Sequence, residues 1–367
     1  MKFFAVCEKS IVAFCSAELA KRFEIKPEAC ENMLFFEAEL DKAVEIAYCS
    51  QTISDLCMVV FESAVPLDEK PLKLLKKESL KFKKQAKSFS VTSSISKNAL
   101  CNLNSFQLSN KIGADIERIA GLKLSFRNPD LNFTLAALKN KNLLGLSLFC
   151  YDLSKRPYRV FVNKVSVSPP VACAFLIFSG MKSINGIIDP TAKDGTVILE
   201  AYHWLSRRPV RKCNQKEFSL SFSLDNDISG TLEDADKKEK EIKGIYAADS
   251  SFANLDALRK NAKIAGISKK ISLIKSTLDE LDLKIMAKDI KKAVFIAAAS
   301  EKREPASETV NKLLSACSRA GIPEVSFIIQ SKENPDWDSS RFRIIQEQAI
   351  LKDKSSLKFV KAKRNEK

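Results

Sequence analysis

One histidine, His203, stands in a chain of 367 residues. That scarcity excludes a multi-histidine metal site and argues against a histidine triad with a separate proton shuttle. Ten cysteines are present, Cys7, Cys15, Cys30, Cys49, Cys57, Cys101, Cys150, Cys173, Cys213 and Cys317, yet no C-x-x-C pair occurs among them. A zinc ribbon or thioredoxin motif therefore has no support, and no metal is expected. Most sit in apolar runs such as Val171-Ala172-Cys173-Ala174-Phe175, as reduced, packed cysteines of a cytoplasmic protein do. Long apolar stretches are missing too. The longest, Val171 to Phe178, is far short of the ~20 residues that span a bilayer. The opening Met1-Lys2-Phe3-Phe4-Ala5-Val6-Cys7 imitates a signal peptide, but Glu8-Lys9 interrupts it. It reads as a first strand.

What is present is ordinary globular material with an excess of positive charge. Hydrophobic residues make up 45% and charged residues 29%, enough for real cores. Lys and Arg number 60 against 45 Asp and Glu, a net charge of +15. A surplus of that size favours a polyanionic partner, nucleic acid before membrane. The length suggests two or three domains at roughly 150 residues each.

Periodicity divides the chain. Lys2–Cys7, Met33–Ala38 and Met58–Phe61 read as strands separated by helical spacing at Ile11, Val12, Cys15, Leu19, Phe23 and at Leu40, Ala43, Val44, Ala47. The order β-α-β-α-β predicts a small ferredoxin-like domain over 1–66. Lysines then accumulate at 70, 73, 76, 77, 81, 83, 84 and 87, with Glu78 among them. Lys81, Lys83, Lys84 and Lys87 are candidate phosphate contacts, and a solvated connecting helix is the competing reading. A second small α+β module follows to residue 155, with a helix over Ser105–Ala120 and strands at Phe89–Ile95, Leu122–Phe126, Phe133–Leu138 and Leu143–Phe149. Lys155-Arg156-Pro157-Tyr158-Arg159 is either a linker or a phosphate-holding knot through Arg156 and Arg159.

From 156 onward strands alternate with helices, which predicts a mostly parallel, doubly wound sheet over 156–367. Residues 206–241 are polar, weakly periodic and read as an insertion. Phe342–Phe359 reads as two strands around a turn at Lys354-Ser355-Ser356, and the basic tail 361–364 is expected to fray. Trp204 and Trp337 read as packing residues. Asp189 and Asp249 end consecutive strands. Ligands of open α/β sheets bind at such carboxyl ends, and an acid there can accept ribose hydroxyls. An aspartate so placed also serves as a helix N-cap.

Asp189-Pro190-Thr191-Ala192-Lys193-Asp194-Gly195-Thr196 with Glu200-Ala201 resembles the D-P-x-C-G-S-G-T…E-A motif of S-adenosylmethionine-dependent RNA methyltransferases. Asp249 with Asn261-Ala262-Lys263-Ile264-Ala265-Gly266 resembles their next motif. Asn128-Pro129-Asp130, Arg156-x-Tyr158-Arg159 and Ser168-Pro169-Pro170 resemble the close of a THUMP domain and the start of its catalytic partner. In order and spacing the chain is similar to the archaeal-type THUMP-containing tRNA guanine-N2 methyltransferases.

The resemblance implies an α/β chain whose Rossmann-like methyltransferase domain follows ferredoxin-like (1–66) and THUMP (67–155) modules that grip tRNA. It implies that Asp189, Gly195 and Thr196 lie near the methionine part of S-adenosylmethionine and that Asp249 holds the ribose. The acid expected after the third strand falls at Ser276 or Thr277. Lys193 stands where the family has a glycine, and Asp194 where it has a serine. Where the family has N-P-P-Y, the chain reads Ala297-Ala298-Ala299-Ser300-Glu301. Ala297, Ser300 and Glu301 thus hold the catalytic position. Two functions remain open: methyl transfer to the exocyclic N2 of a guanosine in tRNA by a cytoplasmic, monomeric enzyme, or RNA binding by a catalytically degenerate relative.

Overall fold

The structure is a computed structural model and describes residues 1–64, 82–96, 99, 101, 103–139, 141–181, 186–285, 288–298, 306–330, 339–352 and 355–365. The chain divides into two compact units, Met1–Ser154 with Asn214–Ala235, and Lys155–Cys213 with Asp236–Lys367.

The first unit is built on strands β1 (Lys2–Cys7), β2 (Glu28–Cys30), β3 (Met33–Glu37), β4 (Ile53–Ser63), β5 (Ser88–Ile95), β6 (Lys123–Leu124), β7 (Leu131–Ala137) and β8 (Asn142–Ser147). Its helices are α1 (Val12–Phe23), α2 (Leu40–Cys49) and α3 (Ser105–Ala120). The first six elements run β-α-β-β-α-β with strand order β2-β3-β1-β4, the ferredoxin-like arrangement. The sequence pattern missed β2 because it has three half-exposed or exposed residues and no apolar alternation. Helix α3 begins with a capping box between Asn104 and Gln107 and stops at Gly121, whose φ is 70°; both devices satisfy terminal backbone groups.

The expected division at residue 66 does not separate two sheets. Strand β4 pairs antiparallel with β8, Cys57 opposite Ser147, and one sheet runs β2-β3-β1-β4-β8-β7-β5-β6. Pairing β4 on its open edge removes a row of unsatisfied backbone groups. At the seam Gly145 has no room for a side chain. A Cβ there meets Phe4 Cε1 at 2.4 Å and Cys57 Cβ at 2.7 Å.

The second unit opens with α4 (Pro169–Phe178), every residue of which is buried. Its two prolines occupy the first turn, where their missing N–H groups go unneeded. There follow β9 (Ile187–Asp189) and α5 (Thr196–Ser206). Helices α6 (Gln215–Leu220) and α7 (Ser229–Lys237) fall within the weakly periodic stretch 206–241 expected to be an insertion. Residues 214–235 belong to the first unit, because Phe218 stacks on Phe149 at 3.9 Å and packs on Tyr48 at 5.2 Å. The second unit resumes with β10 (Ile245–Asp249), α8 (Phe252–Ile264), β11 (Ser272–Lys275), α9 (Leu281–Ile285), β12 (Lys292–Ala298), α10 (Ala306–Arg319), β13 (Glu324–Gln330), β14 (Phe342–Lys352) and β15 (Ser355–Arg364).

Its sheet has seven strands in the order β11-β10-β9-β12-β13-β15-β14. The first five are parallel, and β15 enters antiparallel against β13. This is the mostly parallel, Rossmann-like sheet that the alternation predicted. The order reverses between β9 and β12, so the crevice at the carboxyl end of β9 is the switch point. The tail expected to fray is part of β15, where Lys363 pairs with Glu324 and Ala362 with Val325. Alternation places Val360 and Ala362 in the core, while Lys361 and Lys363 on the other face are half-buried.

Gly145→Ala is expected to lower unfolding stability by about 1–3 kcal/mol through overpacking of the seam. Urea denaturation of the intact chain measures it. An unchanged midpoint would mean that β4 and β8 separate easily.

Candidate functional site

The turn after β9 is shaped by its own sequence. Ala192 donates its N–H to Ala248 O at 2.9 Å, and Lys193 donates its N–H to Asp249 Oδ2 at 3.0 Å. Both bonds tie the turn to β10. Lys193 holds a φ of 53° and Gly195 a φ of 82°, left-handed values that glycine adopts at no steric cost. Gly195 also needs the space, since a Cβ would lie 2.6 Å from Leu258 Cγ. Lys193 thus keeps the backbone course of the glycine it stands for.

Asp194 is 1% exposed. Its carboxylate accepts the Thr196 N–H at 3.1 Å, the Thr196 hydroxyl at 2.9 Å, the Ser166 hydroxyl at 2.6 Å and the Asn163 N–H at 3.1 Å. Arg159 Nη2 stands 3.6 Å away. This buried acid caps the first turn of α5, a position the macrodipole favours for negative charge.

Residues 156–166 therefore form a strap held at three points. Arg156 donates to Glu200 through Nε at 2.8 Å and Nη2 at 3.2 Å, and the Tyr158 hydroxyl donates to Glu200 at 2.5 Å. Asp194 is the second point. Asn261 is the third: its Oδ1 accepts the N–H groups of Val160 (3.2 Å) and Phe161 (3.0 Å), and its Nδ2 donates to Phe161 O (2.9 Å) and Asp194 O (3.0 Å). All four bonding positions of that buried amide are filled. The strap corrects the expectation for Arg156. Its guanidinium is buried against Glu200 and cannot face a phosphate. Arg159 donates to Thr196 Oγ1 at 2.9 Å and Val167 O at 3.1 Å, so it too serves the strap. The signal for this pairing lies in the motifs themselves, which contain Glu200 and Asn261, whereas charge alone points to RNA.

The acids expected to hold a ligand stand at the crevice. Asp189 is 2% exposed and ends β9. It accepts the Thr191 N–H at 3.1 Å and forms no ion pair among the described residues. Burial pushes its carboxyl up to about 8, with Asp249 adding to the rise and the Thr191 N–H opposing it. Asp249 ends β10, where Oδ1 accepts Ser251 N at 2.8 Å and Asn254 Nδ2 at 3.0 Å. Asn163 donates to Asn254 Oδ1 at 3.1 Å, linking strap and acid. Ser276 is buried just past β11, and Thr277 beside it is exposed. His203 is buried under a stacked Tyr158 ring, and burial draws its imidazole down to about 4. It is neutral packing.

Ala297 lies in β12, in register with Ile329. Ser300, Glu301, Lys81 and Trp337 lie outside the described residues. Lys83, Lys84 and Lys87 belong to the first unit, their backbones pinned by Ser223 O, Asp225 and Asp130. Lys84 and Lys87 are exposed and Lys83 half-buried, and their ammonium groups form no ion pair among the described residues. No described helix is long and apolar enough to cross a membrane. No group of three or more His, Cys, Asp and Glu that could hold a metal occurs among the described residues.

Residues 156–291 match the family described as UPF0020, the RMKL-like methyltransferase domain. The chain is similar to the tRNA (guanine(6)-N2)-methyltransferase of Methanocaldococcus jannaschii, with 24% identity over 284 residues, 71% of each protein. Its fold is similar to that of SMU.472, a putative methyltransferase crystallised with SAH, at a TM-score of 0.75 and 15% identity over 98% of this chain and 97% of that one. TrmN from Thermus thermophilus gives a TM-score of 0.71 at 15% identity over 99% of both chains. The methyltransferase resemblance drawn from the motifs at 189–200 and 249–266 holds.

The raised Asp189 carboxyl makes stability depend on pH. The folded chain keeps a proton to about 8, whereas the unfolded carboxyl releases it near ~3.9. The stabilisation is complete below the unfolded value and is lost as pH rises toward the folded one. Asp189→Asn has no proton to lose. Between pH 5 and 9 it is expected to gain stability relative to the wild type, on the order of 5 kcal/mol at most. Urea denaturation across that range tests this, and parallel curves would contradict it.

Proposed function

We propose that this chain is an S-adenosylmethionine-dependent RNA methyltransferase that acts on tRNA in the cytoplasm, with the exocyclic N2 of a guanosine as acceptor. The observation that carries the reading is the pair Asp189 and Asp249 at the carboxyl ends of adjacent parallel strands, on either side of the Pro190–Gly195 turn. The chemistry of the acids suits the donor. Asp189 is a buried carboxyl that forms no ion pair among the described residues, and the methionine part of S-adenosylmethionine carries an ammonium. Asp249 Oδ2 accepts the Lys193 N–H, which leaves it acceptor capacity for a ribose hydroxyl. Gly195 and Thr196 hold the turn, and Thr277 stands past β11 where an adenine contact belongs. When bound, the donor supplies a methyl group on a positively charged sulfur.

The remaining work is positioning and charge stabilisation. The guanine amine has its lone pair delocalised into the ring. Acceptors that take its N–H groups favour a pyramidal, nucleophilic nitrogen. Backbone carbonyls at Ala297 to Ser300, or the Glu301 carboxylate, take that role in place of the family's asparagine. The target base has to leave its stack to reach them. The first unit, with ferredoxin-like and THUMP character, grips the RNA through Lys81, Lys83, Lys84 and Lys87.

A second reading, an RNA-binding protein that no longer transfers methyl groups, is favoured by Ala297, which stands where the family has its asparagine acceptor. The loss of one transition-state acceptor costs about 10²–10³ in rate.

Calorimetry with S-adenosylmethionine is expected to show saturable binding, at least tenfold weaker in Asp249→Ala. Mass spectrometry of tRNA incubated with labelled donor is expected to find the label on guanosine N2. Absence of binding at millimolar donor would refute the enzyme reading. Binding without transfer would select the second. Affinity for tRNA is expected to fall with salt, with a log–log slope reduced by roughly 2–3 when Lys83, Lys84 and Lys87 are replaced together by alanine. A flat salt dependence would contradict RNA binding.

A further inference from the structure

Strand pairing in the first unit gathers cations that lie far apart in the sequence. Strands β5 and β6 run parallel, with Ser88 beside Lys123 and Phe89 beside Leu124. Lys123 donates its N–H to Lys87 O at 2.9 Å. The loop 125–130 then leads from β6 to β7, which flanks β5 on its other side. Its course is fixed from within. Ser125 donates its N–H to Phe89 O at 2.7 Å and its hydroxyl to Arg127 O at 3.1 Å. Asn128 takes a left-handed φ of 45°, which asparagine tolerates better than most side chains.

Three features of this face point to a polyanion that offers flat rings. The first is Phe126, which is 70% exposed. Single apolar side chains on a surface are ordinary, but this ring is held out beside Arg127 on a pinned turn. The second is the charge around it. Lys84, Lys87, Lys123 and Arg127 are exposed and Lys83 is half-buried. None of the five forms an ion pair among the described residues. The third is that the acids closest to them in the chain are committed to the backbone. Asp130 Oδ2 accepts the N–H groups of Lys87 and Ser88 and the Ser88 hydroxyl, each at 2.9 Å. Asp225 accepts the Lys84 N–H at 3.2 Å.

We infer that Phe126 stacks on an unpaired base of the bound RNA while Lys123 and Arg127, with Lys83, Lys84 and Lys87, hold the flanking phosphates. This rests on the reading that the chain binds RNA, and it adds the kind of RNA element recognised, a single-stranded segment. Bases inside a duplex are stacked on one another and present no face to a side chain, whereas splayed bases stack on aromatic rings. Such stacking tolerates every base, because each has a π-face, and a cationic groove beside it follows the backbone. An anionic lipid surface would also attract the lysines, but it calls for a broad apolar face, as on an amphipathic helix. Here one ring stands among cations.

Titration of the intact chain with two fluorescently labelled RNA hairpins, followed by anisotropy, tests the inference. The hairpins share one stem; one ends blunt and the other carries an unpaired tail of about four adenosines. The wild type is expected to bind the tailed hairpin roughly tenfold more tightly at equal salt. Phe126→Ala is expected to lose that preference while it keeps the blunt-hairpin affinity and its salt slope, and Phe126→Trp to retain it. Lys123→Ala combined with Arg127→Ala is expected to weaken both hairpins together and to reduce the log–log salt slope by roughly 1–2. A preference for the tail that survives in Phe126→Ala would overturn the inference. So would equal affinity of the wild type for the two hairpins with a steep salt dependence, which leaves RNA binding itself standing. Absence of binding to either hairpin would overturn both.

Discussion

The buried carboxylate of Asp194 is the constraint on which the second unit depends. It is taken from water with one ion-pair partner, Arg159, whose Nη2 stands 3.6 Å away. It persists because four donors converge on it from Asn163, Ser166 and Thr196. A carboxylate that accepts several hydrogen bonds tolerates burial, whereas removal of its donors would leave a charge that costs several kcal/mol. One side chain therefore caps α5, fixes the turn after β9 and draws the strap at 156–166 against the sheet. Glu200 and Asn261 repeat the device with a guanidinium and with backbone amides.

The consequence for chemistry is a preorganised crevice. Asp189 and Asp249 are not free to turn, because the backbone of the turn and Asn254 hold them. Rigid acids at the switch point of a parallel sheet suit a ligand with an ammonium at one end and a ribose at the other. The same rigidity sharpens the departure from the family motifs. Lys193 preserves the shape of a glycine turn by accepting a positive φ, while Asp194 changes its charge. The added charge is turned away into the strap, where Asn163, Ser166, Thr196 and Arg159 take it up.

Much of the fold was legible in the sequence. The alternation after 156 foretold the parallel sheet. The ferredoxin-like alternation of β1, α1, β3, α2 and β4 was recognisable too. What escaped were features decided by tertiary contact. Strand β2 has too few residues to show a period. The tail at 361–364 looks frayed by charge until Ala362 and Val360 are seen in register with β13. The polar stretch after 206 is ordered because Phe218 finds Phe149 and Tyr48. At the site, Asp189 and Asp249 fall where the strand ends placed them. Arg156 and Arg159 could not be assigned, because a basic residue in a Pro-containing segment looks the same whether it faces solvent or a buried glutamate.

A crystal structure of the chain grown with S-adenosylhomocysteine tests the central claim most directly. The account predicts ligand density in the crevice between the two carboxyls, its ribose hydroxyls on Asp249 and its ammonium facing Asp189. An empty crevice in crystals grown at millimolar ligand, with the Lys193 N–H still on Asp249, would contradict it.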